Sequence, residues 1–269
     1  MVVTAVLGIR NEEAYLANCL RHLVRNGVRF AIIDNGSTDA SAKIYRHREF
    51  ASNLVEAMEL PFEGMFSLAE QLRRKMALIE TIDTDWVIHL DADEVMHSYH
   101  PTETLSEAVS RLDAGGWNVV NFDEFVFLPI EHAYLPEAPG HQLMELYYFF
   151  QPLAPRLMRA WRKSSGFSPV ENAGHTLLGP DLRLAPERFA LRHYIFRNQE
   201  HAFAKYRART FAPDEVARGW HFNRVNQPHP SFLFPPPPTL KRLAFPADRQ
   251  MDRSDPWLVH YWERLQFNL

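Results

Sequence analysis

The sequence predicts an α/β protein with a mostly parallel sheet flanked by helices, followed by an irregular, proline-rich C-terminal part. Apolar, β-branched runs alternate with segments of helical spacing from residue 2 to residue 95, which is typical of parallel strands joined by crossover helices. The strand segments are apolar throughout, as expected for a sheet that is covered on both faces. Prolines are sparse before Pro129 and frequent after it, so regular structure is expected mainly in the first part of the chain.

Each element of this first part follows from its residue pattern. The strands are short apolar runs that end at polar turns, and the helices carry apolar residues three and four positions apart. The first helix places Leu16, Leu20 and Leu23 on one face, and Gly27 ends it as a C-terminal cap. The predicted strands cover 2–9, 28–39 with its polar turn, 53–60 and 85–94, and the predicted helices cover 11–27, 39–50 and 67–83.

The patterns in the second part of the chain are weaker. They predict one long strand or two short strands over 116–129, extended structure over 145–161, and helices over 197–211 and 254–267. The last helix would start at Ser254 or Asp255 as its N-cap, with Pro256 in the first turn. The run Pro235–Pro238 favours an extended polyproline segment, which we interpret as a strap over the body of the protein.

Composition excludes several classes of function. The formal net charge is −4 and the pI is about 6.4, so the chain has no basic field for non-specific binding to nucleic acid. The single cysteine, Cys19, excludes an internal disulfide and is expected to be a small core residue. No stretch approaches the ~20 apolar residues of a membrane span, and the N-terminus lacks a basic signal region. We expect a cytoplasmic protein, and peripheral contact with a membrane stays open.

Polar clusters follow three of the predicted strands. They are "RNEE" after the first strand, "DNGSTD" after the second and "DADE" after the fourth. The carboxyl ends of parallel strands lie at the same edge of a sheet, where open α/β sheets bind ligands. Asp91 and Asp93 can converge on one divalent cation, Mg²⁺ or Mn²⁺, that also binds substrate phosphates. Asp-x-Asp is common turn chemistry as well, but the two partner clusters favour a metal site.

The segments "VLGIRNEEAYLANCLRHLVRNG", "AIIDNGSTDAS" and "DWVIHLDADEVM" resemble, in this order, the nucleotide-sugar-binding half of bacterial family 2 glycosyltransferases with the GT-A fold. The segments "GFSPVENAGHTL" and "LRHYIFRNQEHAFAKY" resemble the family more loosely. The resemblance implies a nucleotide-sugar-binding half over 1–115, an acceptor-binding half of the same GT-A domain over 116–230, and a C-terminal proline-rich strap and helix over 231–269.

The activity that this resemblance implies is that of a metal-dependent, inverting, hexosyltransferase-like glycosyltransferase. Such an enzyme moves a sugar from a nucleotide-diphospho-sugar to a glycan, a lipid-linked sugar or another hydroxyl acceptor, as in polysaccharide biosynthesis. The implied cofactor is Mn²⁺ or Mg²⁺, and the implied binding partners are the nucleotide sugar and the acceptor.

The resemblance also implies roles for individual residues. Asp91 and Asp93, with Ala92 between them, would hold the cation and reach the diphosphate. Asp34 would accept a hydrogen bond from the nucleobase or ribose, and the alternative is an aspartate that caps its own turn. The further nucleotide contacts would come from Arg10, Asn11, Glu12 and Arg74. The structural alternative for Glu12 is a position at a helix N-terminus, which favours negative charge. The alternative for Arg74 is a position on a solvated helix surface.

An inverting displacement needs a general base on the acceptor side, and the family's usual Glu-Asp pair is not evident here. The candidates are Asp123, Glu124, Glu171 and His175. Strand alternation places Asp123 and Glu124 on opposite faces, so only one faces the cleft; we favour Glu124, with an exposed strand carboxylate as the alternative. A third metal ligand is implied from the second half of the chain, His193 first and His175 next, and imidazole suits Mn²⁺ better than Mg²⁺.

Two other functions compete with this interpretation. One is a non-catalytic sugar-nucleotide-binding protein that keeps the fold without a base. The other is an α/β nucleotidyltransferase, which also uses paired aspartates with Mg²⁺. The glycine-rich phosphate loop of many nucleotidyltransferases is replaced here by "RNEE", which disfavours the second alternative.

Overall fold

The structure, a computed structural model, describes residues 1–131, 144–207, 209–225 and 229–264. The β-strands are β1 Val3–Ile9, β2 Arg29–Asp34, β3 Leu54–Glu59, β4 Trp86–Leu90, β5 Glu94–His97, β6 Val119–Phe127, β7 Leu146–Phe150, β8 Leu157–Arg162, β9 Phe189–His193 and β10 Lys241–Arg242. The α-helices are α1 Glu13–Arg25, α2 Ser41–Tyr45, α3 Leu68–Thr81, α4 Leu105–Ala114, α5 Gln199–Arg207 and α6 Pro213–Ala217. None of the helices in these ranges has the length and apolar character that crossing a bilayer requires.

The chain forms two compact units. The first unit comprises Met1–Phe62, Leu68–Phe122 and Pro155–Leu191, and the second comprises Glu63–Ser67, Asp123–Ala154 and Arg192–Leu269. Strands β6 and β9 each contribute one part to the first unit and the rest to the second. The division into 1–115, 116–230 and 231–269 that the sequence suggests stays a prediction.

The sheet of the first unit has the strand order β3-β2-β1-β4-β8-β6. Strand β1 pairs in parallel with β2 and β4, and β2 pairs in parallel with β3. Strand β8 pairs antiparallel with β4 and with the first part of β6. The four predicted parallel strands are confirmed, and so is the predicted α/β architecture of a mixed, mostly parallel sheet flanked by helices.

Helices cover this sheet because each buries one apolar stripe. Helix α1 contacts β2 and β5, and helix α3 contacts β1 and β2. The apolar core between α3 and the sheet includes Val6, Leu78, Val87 and Trp161, each at most 1% exposed. Full burial of such a side chain contributes roughly 1.5–3 kcal/mol. Cys19 on α1 is 2% exposed, which confirms the expected small core residue.

The second unit has an aromatic core. The last part of β6 pairs antiparallel with β7, and β7 pairs antiparallel with β10. A buried cluster that includes Tyr148, Phe196, Phe232 and Trp262 packs beneath these strands and helix α5. Such rings bury large apolar areas and prefer the edge-to-face and offset arrangements found here, for example between Phe196 and Trp262.

The helix predicted over 254–267 is wrong for the residues that the structure describes, which reach 264. The backbone nitrogen of Trp257 donates to Phe149, and Trp257 in turn accepts from Gln151, so the chain runs extended beside β7. The indole of Trp257 also stacks on Tyr148 with ring centroids 4.4 Å apart. Pairing with a strand therefore outweighs the helical N-cap pattern, and the first helical turn is the 3₁₀ segment Tyr261–Glu263.

Candidate functional site

The three polar clusters lie at the same edge of the sheet in the first unit. Strand β1 lies between β2 and β4, with Ile9 opposite Asp34 and Leu7 opposite Leu90. The loops after these strands therefore start side by side, as expected for parallel neighbours. Burial raises the pKa of the Cys19 thiol, and Glu94, Asp93, Asp91 and Glu12 raise it further, so the carboxylates of these clusters all lie within electrostatic range of this residue of α1.

Arg10 fixes the loop after β2. Its Nη1 donates to the carbonyl oxygens of Asn35 (2.8 Å) and Gly36 (2.7 Å). Its guanidinium carbon lies 3.4 Å from the centroid of the Phe62 ring, a cation–π contact. Gly36 has φ +64°, which L-residues adopt only with strain. Arg10 thus holds the backbone of this turn, and its side chain is half-buried.

Asn11 and Glu12 link the loop after β1 to the same turn. The Asn11 side chain accepts from the Thr38 nitrogen at 2.7 Å, and its own nitrogen donates to Ser37 Oγ at 3.0 Å. The Glu12 nitrogen donates to Ser41 Oγ at 2.9 Å. Its carbonyl accepts the first bonds of α1, so the predicted helix N-terminus is confirmed.

Asp34 caps its own turn. Its Oδ1 accepts from the backbone nitrogen of Ser37 at 2.8 Å, and its Oδ2 accepts from the hydroxyl of Tyr45 at 3.3 Å. Burial and the neighbouring Asp34 charge raise the pKa of Tyr45 to about 12. The carboxylate is 4% exposed. The turn-capping alternative is therefore confirmed, and a nucleotide contact would have to use the remaining lone pairs of these oxygens.

The Asp91–Asp93 segment forms a tight turn between β4 and β5. The Glu94 nitrogen donates to the Asp91 carbonyl at 3.1 Å, and Glu94 Oε2 accepts from the Asp91 nitrogen at 2.9 Å. Glu94 is 2% exposed and its other oxygen lies 3.5 Å from Arg159 Nη2. The Asp91 side chain is 42% exposed, whereas Asp93 is 8% exposed. Glu94 therefore shapes the turn, while Asp91 is the carboxylate open to a ligand.

Lys75, which the sequence did not single out, is the basic residue of α3 that reaches this turn. Its ammonium donates to the Leu90 carbonyl at 3.2 Å and lies 3.6 Å from Asp91 Oδ1. Arg74 is instead exposed and pairs with Glu70 at 2.8 Å, as the solvated-surface alternative expects, and its nucleotide contact stays a prediction. The spacing could have shown this, because Lys75 follows Leu72 and precedes Leu78 and Ile79 on the apolar stripe of the helix.

Two histidines and Glu171 lie elsewhere in the first unit. His89 on β4 is 4% exposed, and its Nδ1 has no hydrogen-bond partner among the described atoms. Burial lowers its pKa well below the usual range, and the neighbouring Lys75, Arg159 and His175 act in the same direction. His175 and Glu171 are exposed on the loop that follows β8. Both side chains are therefore accessible to solvent.

The second unit contains Asp123, Glu124 and His193. Glu124 Oε1 lies 2.6 Å from His193 Nδ1, and the two side chains are 6% and 16% exposed. Asp123 lies 3.5 Å from Arg253, and its side chain is 1% exposed. The adjacent acids thus contact different partners, as strand alternation predicts. The alternative of an exposed strand carboxylate is wrong for Glu124, because the residue is buried.

The residues of the Asp91–Asp93 turn fit a hard divalent cation. Carboxylate oxygens are the ligands that Mg²⁺ and Mn²⁺ prefer, and the exposed Asp91 oxygens leave room for phosphate or water ligands. In the described ranges, one set of three His, Cys, Asp or Glu side chains has all ligand atoms within 4.8 Å of one another, namely His100, Glu103 and Glu187. Both of these glutamates bind Arg111, so a cation already occupies that cluster. The metal-ligand roles of His193 and His175 stay predictions.

Replacing Lys75 with Met is expected to stabilise the protein at pH 7. Burial lowers the pKa of Lys75 from 10.5 to about 8, which corresponds to roughly 3 kcal/mol against the folded state. Loss of the bond to Leu90 offsets part of this, leaving a gain of about 1–2 kcal/mol. Between pH 8 and 10.5, Lys75 is protonated in the unfolded chain and increasingly neutral in the folded protein. The gain in stability from Lys75→Met should therefore shrink as the pH rises through that window.

Urea unfolding at pH 7 and pH 10 measures this gain. Lys43→Met is the matched control, because Lys43 is exposed on α2 and should change stability by less than about 0.5 kcal/mol. A Lys75→Met protein that is less stable at pH 7 would mean that attraction to Asp91 and Glu94 exceeds the cost of burying the ammonium.

Comparisons with known proteins give structural similarity without sequence similarity. No protein-family model matches the chain, and no curated protein matches it. Among solved structures, TarS 1–349 of S. aureus in complex with UDP aligns at TM-score 0.46 and 13% identity over 77% of this chain and 64% of that chain. Mannosyltransferase PcManGT from Pyrobaculum calidifontis in complex with GDP-Man and Mn²⁺ aligns at TM-score 0.42 and 16% identity over 84% of this chain and 70% of that chain.

A third similar structure is the galactosyltransferase LgtC with donor and acceptor sugar analogs, at TM-score 0.32 and 19% identity over 60% of this chain and 58% of that chain. The alignment with the longer TarS structure covers 38% of that chain. This chain therefore matches less than two thirds of the length of the TarS structures. These are proteins that the chain is similar to in fold, and with TM-scores below 0.5 the functional assignment depends on the residues themselves.

Proposed function

We propose that the protein is a metal-dependent glycosyltransferase with a GT-A fold that uses a nucleotide-diphospho-sugar as donor. The observation that carries this proposal is the convergence of the three polar motifs at the carboxyl edge of the parallel strands. The loops after β1 and β2 are bonded to each other, and the Asp91–Asp93 turn follows the adjacent strand β4. This edge is where open α/β sheets bind nucleotides, and the motifs are those that resemble family 2.

The nucleoside would bind at the loops after β1 and β2. Arg10, Asn11 and the turn that begins at Asp34 form a rigid wall, since each is held by short bonds to the neighbouring loop. A pre-organised wall lowers the entropy lost on binding. In this proposal Asp34 fixes the conformation of the turn, and a contact with the ribose or the base would be its second role.

The diphosphate would bind at the Asp91–Asp93 turn. Asp91 and Asp93 would hold Mn²⁺ or Mg²⁺, and a bound cation there would neutralise charge that develops on the departing diphosphate. Lys75 places a buried ammonium beside Asp91, and a desolvated charge with a specific charge partner is a feature of candidate functional sites. We assign Lys75 as a positioning residue for Asp91.

We propose an inverting transfer in which the acceptor oxygen attacks the anomeric carbon as the bond to the diphosphate breaks. The acceptor proton must pass to a base. In the second unit, Glu124 Oε1 lies 2.6 Å from His193 Nδ1, so the carboxylate would orient the ring and Nε2 would be the nitrogen that accepts the proton. This assigns the base to His193 and makes Glu124 a positioning residue, which modifies the expectation that Glu124 is the base itself.

The finer points of the proposal come from the resemblance to family 2. They are a sugar, lipid-linked sugar or other glycan hydroxyl as acceptor, a role in polysaccharide biosynthesis, and a cytoplasmic location with room for peripheral membrane contact. A non-catalytic protein of the same fold would share the donor site, so the decisive observation is turnover.

Thermal unfolding with UDP-, GDP- and dTDP-sugars, each with and without Mn²⁺, tests the donor site. A donor at about one hundred times its dissociation constant stabilises the folded state by roughly 2.7 kcal/mol. For a chain of this size that raises Tm by roughly 5 °C or more. We expect this increase for one nucleotide class and only with metal present. Slow release of the sugar from the bound donor would show turnover, and absence of any shift in both metal conditions would refute the proposed function.

A further inference from the structure

A cavity of about 460 Å³ lies within the second unit. Three arginines and three aromatic residues form much of its wall. They are Arg207, Arg209, Arg224, Tyr206, Phe211 and Phe232. Volumes from ~300 to ~1,000 Å³ are typical of sites for small molecules. The cavity is therefore large enough for a sugar with one charged substituent.

The arginines of this cavity lack acidic partners. In the part of the chain that the structure describes, none of Arg207, Arg209 and Arg224 forms a salt bridge, whereas other arginines of this unit do. Arg218 pairs with Asp214 at 3.4 Å, and Arg242 pairs with Glu131 at 2.6 Å. Like charges that line one cavity repel each other unless an anion compensates them. The cavity can therefore accept an anionic ligand without displacing an acidic side chain from these arginines.

Arg224 is placed for such a ligand. Its Nε is buried and has no hydrogen-bond partner among the described atoms. Its guanidinium carbon lies 5.4 Å from the centroid of the Tyr206 ring, which orients the group by a cation–π contact. Buried donors without partners are rare in folded proteins, so this nitrogen is expected to be satisfied in the liganded state.

A buried acid, Glu215, acts on the same histidine as two of these arginines. Glu215 is fully buried, and its oxygens bind the Ser67 hydroxyl at 2.8 Å and His221 at 3.0 Å. Burial lowers the pKa of His221, and Arg224 and Arg209 lower it further against the opposing effect of Glu215. Two of the arginines that line the cavity thus act on His221 as positive charges, and a dianionic ligand would match them.

We propose that this cavity binds the phosphate group of a sugar phosphate. Arginine matches phosphate in geometry, with two parallel hydrogen bonds to neighbouring oxygens. A phosphate monoester carries a charge of about −1.5 to −2 at pH 7, which suits three guanidinium groups better than a single carboxylate does. The rings of Tyr206, Phe211 and Phe232 offer apolar surface to the sugar ring. This inference rests on the proposed function. The sugar phosphate is then part of the acceptor, and the transferase acts on a phosphorylated glycan.

Calorimetric titration of the full chain with glucose 6-phosphate, and with glucose as the neutral control, tests the site. We expect measurable binding of the phosphate and none of glucose at the same concentration. Arg209→Gln and Arg224→Gln should each raise the dissociation constant at least tenfold. Arg207→Gln serves as a second variant, because Arg207 is exposed and its replacement leaves the core intact.

Arg218→Gln is the matched control for these variants. It removes the same charge from an exposed residue of the same unit, so the dissociation constant should change less than twofold. Equal affinity for glucose and glucose 6-phosphate, or equal loss in Arg218→Gln and Arg209→Gln, would overturn the proposal. Displacement of glucose 6-phosphate by UDP with Mn²⁺ would also overturn it, because the cavity would then belong to the donor.

Competition with lipid vesicles tests whether the bound phosphate group belongs to a membrane lipid or to a free sugar phosphate. Competition with glucose 6-phosphate by phosphatidylcholine vesicles containing phosphatidic acid, but not by vesicles of phosphatidylcholine alone, would place the phosphate on a lipid carrier and still support the phosphate site. If glucose 6-phosphate binds at these arginines while no nucleotide binds in either metal condition, the phosphate site stands and the proposed transferase activity fails.

Discussion

Asp91→Asn and Asp93→Asn are each expected to reduce turnover of the sugar nucleotide about 10³-fold, which corresponds to roughly 4 kcal/mol of lost stabilisation of the departing diphosphate. Both changes keep the shape of the side chain and remove the charge that a divalent cation needs. The rise in Tm that a nucleotide produces with Mn²⁺ should disappear with the activity. Hydrolysis of the donor and thermal unfolding with nucleotide and Mn²⁺ measure the two effects.

The fold should survive the change at Asp91. Its side chain is 42% exposed and lies 3.6 Å from the buried Lys75 ammonium, so the free energy of unfolding should fall by less than the ~3–5 kcal/mol that breaking a fully buried pair costs. Asp83→Asn is the matched control. Asp83 is an exposed carboxylate that precedes the N-terminal end of β4, whereas Asp91 follows the C-terminal end. Full activity in the Asp91 and Asp93 variants, or an equal loss in Asp83→Asn, would remove the basis of the metal site.

The parallel half of the sheet could be predicted from the sequence because its signals are local. Buried strands such as β1 and β4 are continuous apolar runs, and α1 and α3 carry apolar stripes of helical spacing. The polar ends of these strands then follow from topology, since parallel neighbours end at one edge. No prediction covered α4, although its capping box of Thr104 and Glu107 is a readable start signal.

The contacts that depend on distant parts of the chain could not be predicted. The apolar stripe of α3 is enough to show that Lys75, and not Arg74, points inward, but it does not show that Lys75 reaches Asp91, sixteen positions later. The helical pattern after Ser254 gave way to strand pairing because Trp257 finds Tyr148, more than one hundred positions earlier. The pairing of Glu124 with His193 likewise joins residues 69 positions apart. Sequence patterns identify both residues as candidates without indicating that they act together.

That pairing leads to a second large effect. His193→Gly is expected to reduce turnover by 10²–10⁴-fold, the usual contribution of a general base, while Glu124→Gln should cost less because the imidazole remains. The Glu124 carboxylate contacts Nδ1 at 2.6 Å, so its loss weakens the control that this contact has over the orientation and tautomer of the ring. Donor hydrolysis by each variant, with the concentration of donor varied, separates a loss of turnover from a loss of donor binding.

Added imidazole separates a base from a residue that merely supports the fold. The His193 side chain is 16% exposed, so a small molecule can enter the space that His193→Gly leaves, and we expect free imidazole to restore turnover in proportion to its concentration. His47→Gly is the control: His47 is exposed, with 58% of its side chain open to solvent, and this variant should keep wild-type turnover and show no response to imidazole. A His193→Gly protein that folds, binds the donor and stays inactive at every imidazole concentration would exclude His193 as the proton acceptor. If Glu124→Gln then shows the larger loss, the carboxylate is the base and the imidazole its positioning partner.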